Sequence, residues 1–302
     1  MTGTERTTKR KMIYADLSLL LVALAWGGGF VVLKDALNSI TPFYIMAIRF
    51  ILATAIMSLL FIKRLKNITK NDLYTGSIIG VLLFLAFSTQ TVGLQYTTAS
   101  KQAFLTGTNV VIVPFLAWRI HKHRPDGYAF FSTFLALIGI GLLTIQGSFF
   151  MNKGDLLTLI CAVFFAAHIA SVGYFAPGKD PFLLAMIQMA VAGLIFIVFA
   201  VIFEPVPMNF DKQMIGAVAY LVLFPTLMAF IIQNVAQQLT TSTHTALILC
   251  LESVFGTVLS VIFLKEILTV KMIAGCVLIF MAIILTETKL NFLKRDKVKD
   301  IL

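Results

Sequence analysis

Apolar runs of about twenty residues follow one another along almost the whole chain, separated by short polar or basic interruptions. A helix rises about 1.5 Å per residue, so a run of about twenty crosses a hydrocarbon core about 30 Å thick. The pattern predicts helices near 15–35, 42–62, 73–95, 99–118, 126–146, 155–176, 182–203, 213–238, 243–264 and 269–288. Barrel strands would read as short segments of alternating polarity, a pattern that does not appear. The expectation is an all-α integral membrane protein of ten transmembrane helices.

Polar positions inside these runs recur. The stretch "AFSTQTVGLQYTTAS" at 86–100 returns as "AFIIQNVAQQLTTST" at 229–243, a shift of 143 with seven of fifteen positions identical. Gln90 thereby meets Gln233, and Gln95 meets Gln238. Continued forward, "ASKQAFLTGTNVVIVPFLAW" lies over "STHTALILCLESVFGTVLSV", with Asn109 opposite Glu252. Earlier in each half the shift is 139: "TPFYIMAIRF" lies over "DPFLLAMIQM", Pro42 on Pro181 and Arg49 on Gln188, and Asp16 meets Asp155. The longer "EPVPMNFDKQ" loop absorbs the difference. Leu and Val matches arise between any two membrane helices, whereas paired glutamines do not. The repeat defines two five-helix units, 14–146 and 154–288. An odd number of crossings makes the second unit enter from the opposite side. The expectation is therefore a pair of inverted repeats, a plan used by many secondary transporters.

Charge sets the orientation. With the N-terminus inside, 17 of the 24 Lys and Arg residues fall on the cytoplasmic side, as basic residues do in membrane proteins. The net charge of +10 is thus a topology signal and not a nucleic-acid surface. Both termini are expected in the cytoplasm, with 289–302 as a basic cytoplasmic tail. The expected location is the cytoplasmic (inner) cell membrane, crossed many times. The first apolar run is too long for a signal peptide and has no small-residue cleavage site. Only 13% of residues are charged, against about 25% in soluble domains. Cys161, Cys250 and Cys276 lie in apolar runs without disulfide or metal spacing and read as packing residues. No metal or cofactor is expected.

The segment "SVFGTVLSVIFLKEILTVKMIAGCVLIFMAIILTE", preceded by "LE" at 251–252, resembles the last two spans of an EamA-domain protein of the drug/metabolite transporter superfamily. "ASKQAFLTGTNVVIVPFLAW" resembles the matching part of a first EamA domain, and "WGGGF" at 26–30 its opening helix. The resemblance covers nearly the whole chain as two tandem EamA repeats. It implies the ten-helix inverted repeat and an exporter of amino acids, related metabolites or drugs. Ser253 stands where many members of that family have proline, which leaves a kink after Glu252 open.

Polar groups at membrane depth are costly and face partners or cavities. Glu252 lies nine residues into its span, about 14 Å deep. It either binds a substrate ammonium, takes up a coupling proton, or ties neighbouring helices together. Asn109, at the matching position, is a candidate floor for a central site or an interhelical tie. Gln90 and Gln233 read as equivalent points on one path or as helix ties, with Thr91 and Asn234 adding polar surface beside them. His168 falls opposite Gly29 in the repeat and reads as a relay, a substrate contact or a packed histidine. Trp26, Phe30 and Phe165 are expected in the cavity wall. Gly27 to Gly29 form a patch that lets helices approach closely. Arg49, about seven residues inside the outer end of its span, could attract a substrate carboxylate or pair with an acidic group, and the favoured expectation is that it reaches back to the headgroups.

The reading these features carry is a secondary-active transporter exporting a small amphiphilic metabolite, such as an amino acid or analogue, by alternating access. Its partners would be that small molecule, the lipid bilayer and a coupling proton. A Walker-type nucleotide loop is absent from the sequence, and loops are short, so the energy would come from a gradient or from the substrate's own downhill flow. An uptake permease or facilitative carrier remains as the alternative. A receptor or scaffold would need an extramembrane domain to carry a signal. A membrane enzyme would need clustered catalytic groups, and none is found.

Overall fold

The structure is a computed structural model that describes residues 3–121, 127–144, 151–207 and 211–288. The expected tail at 289–302 and the end of the first unit at 145–146 lie outside the described residues. All regular elements among the described residues are helical. They are α1 (Gly3–Ala36), α2 (Pro42–Leu60), α3 (Ile62–Leu65), α4 (Lys70–Leu94), α5 (Ala99–Gly107), α6 (Asn109–His121) and α7 (Gly127–Thr144). After these come α8 (Lys153–Phe175), α9 (Pro181–Phe203), α10 (Lys212–Val222), a π turn (Leu223–Met228), α11 (Ala229–Ala236), α12 (Ser242–Cys250), α13 (Glu252–Phe263) and α14 (Val270–Thr288). Among the described residues, seven helical stretches are long and apolar enough to cross a membrane. The other expected spans fall on the interrupted pair α5–α6 and on α7 and α14.

Local chemistry explains where the helices begin. Pro42 and Pro181 open α2 and α9, where a missing N–H costs nothing. Thr98 and Thr241, 143 residues apart, turn their hydroxyls onto the first-turn amides of α5 and α12. Two carboxylates cap helices from a distance. Glu204 accepts from the Phe43 and Tyr44 amides, each at 3.0 Å, and Glu266 accepts from the Ala99 amide at 2.8 Å. Each of these residues sits just beyond the end of one span and closes the start of another.

Packing follows the repeat. α2 lies on α9 and α7 on α14, each helix against its own counterpart, while α1 crosses α13 much as α8 crosses α6. The core between α2, α4, α9 and α11 is aromatic. Phe50 stacks on Phe196 with centroids 5.7 Å apart and meets the edge of Phe87 at 5.3 Å. Such pairs contribute about 0.5–1.5 kcal/mol beyond their buried area. The free thiols of Cys161 and Cys250 are buried and that of Cys276 half-buried.

Candidate functional site

Two spans that the hydropathy pattern presents as continuous, 99–118 and 243–264, are interrupted half-way. Thr108 is a one-residue joint between α5 and α6, and Leu251, 143 residues later, is the joint between α12 and α13. At both joints the backbone stays right-handed, and the amide turns to the carbonyl three residues back: Thr108 to Leu105 at 3.3 Å, Leu251 to Ile248 at 3.1 Å. The helix therefore tightens for one turn without unwinding. The residue opening the second segment is in each case the polar one, Asn109 or Glu252. The interruption at Leu251 precedes Glu252 and occurs without proline, and the Ser253 hydroxyl donates to the Ala103 carbonyl at 2.7 Å, tying α13 to α5.

Glycine sets how close the neighbouring helix comes. A Cβ on Gly27 would lie 2.7 Å from the Phe255 Cβ and 3.0 Å from the Glu252 carbonyl oxygen. Only a residue without a side chain permits this crossing of α1 and α13.

A third interruption lies in the span from Lys212 to Ala236, where the π turn contains Pro225. Proline cannot donate to Leu221, and the Thr226 hydroxyl satisfies that carbonyl instead, at 2.6 Å. The Pro225 carbonyl turns to other helices. It accepts from Trp26 Nε1 at 2.9 Å and from a terminal nitrogen of Arg49 at 3.0 Å. π turns inside helices recur at functional sites.

These interruptions surround one small cavity of about 30 Å³ between the two halves. Its lining brings together Gln90 with Gln233, Asn109 with Glu252, and His168, all five expected from the sequence. Trp26, Phe30 and Phe165 also lie in that lining, on its apolar side. Asn234 is a correction: it is fully buried beside the cavity but not in its lining, and its amide nitrogen donates to the Phe230 carbonyl at 2.8 Å. One step along α11 turns the side chain by about 100°, away from the face that carries Gln233.

The cavity is polar but incompletely satisfied. Glu252 is 4% exposed, and its carboxylate makes no hydrogen bond or ion pair with the described residues. Asn109 Oδ1 and Gln233 Oε1 are buried without partners among the described residues. The Gln233 amide nitrogen donates to Gln237 Oε1 at 3.1 Å, and that of Gln90 faces Thr106 Oγ1 at 3.5 Å. His168 is anchored, its Nε2 lying 2.7 Å from Gln188 Oε1.

Arg49 is the larger correction. It does not reach toward the headgroups: it is 3% exposed and lines the same cavity. Its Nε donates to the Thr226 hydroxyl and its guanidinium lies over Phe87, 4.7 Å from the ring centroid. Position within a span does not show which way a side chain turns. The available signal was Pro225, a mid-span proline whose neighbourhood had to offer free carbonyls. Leu33, Phe87, Ile169 and Pro225 also line the cavity and were not expected there.

A helical bundle of membrane-spanning length around a buried, mixed polar and aromatic cavity defines a multi-pass membrane transporter. The model of the EamA-like transporter family matches residues 13–145 and again 152–288, and the chain belongs to that family. An "Uncharacterized transporter" of Archaeoglobus fulgidus is 37% identical over 279 residues, covering 92% of this chain and 87% of that one. A second "Uncharacterized transporter" of the same organism is 27% identical over 261 residues, 83% of this chain and 89% of its own. A solved crystal structure shares the fold with a TM-score of 0.69 at 18% identity, over 93% of this chain and 98% of that one.

Proposed function

We propose that the protein is a secondary-active transporter that exports a small amphiphilic metabolite, such as an amino acid or analogue, across the cytoplasmic membrane. The two units, 14–146 and 154–288, act as inverted repeats with both termini cytoplasmic, and they rock about the cavity to expose it to each side in turn. The observation that supports this most is the composition of the lining. Residues related by the internal repeat, Gln90 with Gln233, Asn109 with Glu252 and Trp26 with Phe165, converge on one enclosed space. A scaffold has no use for a buried carboxylate without a partner among the described residues, whereas a carrier needs such a group free for substrate or proton. Glu252 fills that role here.

The test is metabolite profiling of the medium around cells expressing the wild type or Glu252→Gln, with equal membrane abundance. The expected result is a metabolite enriched outside only with the wild type, and a pH dependence of flux that the variant loses. Unchanged flux and pH profile in Glu252→Gln would remove that residue from coupling. If medium from wild-type and empty cells matches, export fails, and counterflow in vesicles then decides for an uptake or facilitative carrier.

A further inference from the structure

We infer that Arg49 is a receptor for a carboxylate group on the substrate, so that the cavity takes monoanionic or zwitterionic carboxylates and rejects their decarboxylated amines. This rests on the transporter reading only in calling the ligand a substrate.

A guanidinium has five N–H donors. In Arg49 one meets the Thr226 hydroxyl and one the Pro225 carbonyl at 3.0 Å, while Nη1 has only the Met46 sulfur at 3.9 Å. Three donors are thus left without an oxygen acceptor among the described residues, on a side chain that lines the cavity. Its charge is in no direct ion pair, although the Glu252 carboxylate shares the cavity lining with it. Four ion pairs occur among the described residues, and Arg49 is in none. A buried cation without a counter-ion is costly, because aromatic faces and neutral acceptors replace only part of its hydration.

That cost is not a requirement of the bundle. At the matching position of the second unit stands Gln188, which ties its helix to His168 through a neutral amide at 2.7 Å. A neutral side chain therefore suffices to join helices at this depth, and the charge at Arg49 has another use. The mounting fits that use: with Nε and one Nη2 hydrogen held by the π turn, the fork is fixed in orientation. A fixed fork is the arrangement that binds a planar carboxylate by paired hydrogen bonds. The charge balance selects the class. With Glu252 ionised the lining is already neutral, and a zwitterion keeps it so, its carboxylate on Arg49 and its ammonium facing Glu252; with Glu252 protonated a monoanionic carboxylate does the same, whereas a phosphate dianion leaves negative charge in excess in either case. The free space of about 30 Å³ holds little more than a water, so the walls of Trp26, Phe30 and Phe165 must part to admit an apolar body attached to that head.

The experiment measures thermal stabilisation of the purified full chain in detergent by matched pairs of probes. L-leucine is set against isoamylamine, L-phenylalanine against 2-phenylethylamine and L-proline against pyrrolidine, with 4-methylpentanoate and 3-phenylpropionate as carboxylates lacking an amine. In at least one pair the carboxylate member should act at a concentration at least about tenfold lower, as expected for a charge-assisted hydrogen bond. Arg49→Gln, which installs the residue found at the matching position, should melt near the wild type without probe and erase the difference within the pair. If Arg49→Gln does not fold, Arg49→Lys keeps the charge without the fork and should reduce the difference in part. A purely structural role would lower the unliganded melting point and leave the discrimination intact, which overturns the inference. So does an equal response to both members of every pair, absence of response included. Flux separates the two readings. Carboxylate discrimination without flux sinks the transporter reading alone, and flux of an amine in preference to its carboxylate parent sinks the Arg49 inference alone.

Discussion

Arg49 and Lys101 are both cations buried in the bundle, and they differ in what they meet. The Lys101 ammonium lies 2.8 Å from Asp155, whose carboxylate also accepts from the Thr97 hydroxyl at 2.6 Å. The repeat places His244 opposite Lys101 and Asp16 opposite Asp155, and those two residues pair as well, at 3.0 Å. The side chains are 8% and 0% exposed in the first pair but 32% and 37% in the second. Burial decides what each is worth. Lys101→Met leaves Asp155 buried without a cation and should cost about 3–5 kcal/mol, read as a clear fall in melting temperature in detergent. His244→Ala should cost less than about 1 kcal/mol. Equal falls at the two sites would show that exposure does not set the difference.

Helices show a second division between what sequence reveals and what it hides. The spans themselves are legible because a run of about twenty consecutive apolar residues matches the thickness of a hydrocarbon core. The joints at Thr108 and Leu251 are not, because the backbone there keeps right-handed angles and the residues are ordinary helix residues. The crossing of α1 and α13 lies between these extremes: the glycines were visible, but which helix they face was not. Gly27→Val should be poorly tolerated, because its side chain would push against Phe255 and the backbone at Gly256. Overpacking of this kind costs about 1–3 kcal/mol. It should also lower transport, since the Glu252 carbonyl is part of the same contact. Gly141→Ala is the control: beyond its own helix turn, no atom of the described residues lies within 4 Å of its Cβ position, so melting temperature and flux should hold. Similar losses in both variants would mean that the close crossing is not what Gly27 provides.

Across the whole molecule, the polar identities of the repeat found most of the cavity in advance. Gln90, Gln233, Asn109, Glu252 and His168 line it because positions that match in sequence also meet in space. Arg49 escaped because its partners at Pro225 and Thr226 lie more than a hundred residues away on a turn that no periodicity announces. The matched ion pairs at opposite ends offer a test of rocking. Lys101→Cys with Asp155→Cys, joined by a short thiol reagent, should abolish counterflow, and so should Asp16→Cys with His244→Cys. Cys276→Ser would remove the half-buried natural thiol from the background. Survival of flux with either end clamped would rule out alternating exposure of a single cavity.

The π turn also bears on how far the two halves can be alike. The Ala229 amide reaches five residues back to the Phe224 carbonyl, so Leu223–Met228 accommodates one residue more than an α-helical stretch of the same rise. One residue is about 100° of rotation. α4, the matching span, runs uninterrupted from Lys70 to Leu94. The caps that open the two spans, Thr69 and Asp211, lie 142 residues apart, whereas Gln90 and Gln233 lie 143 apart. The turn thus absorbs the one extra residue and leaves both ends of the pair in step; without it, every side chain beyond Met228 would point about 100° away from the face its counterpart presents.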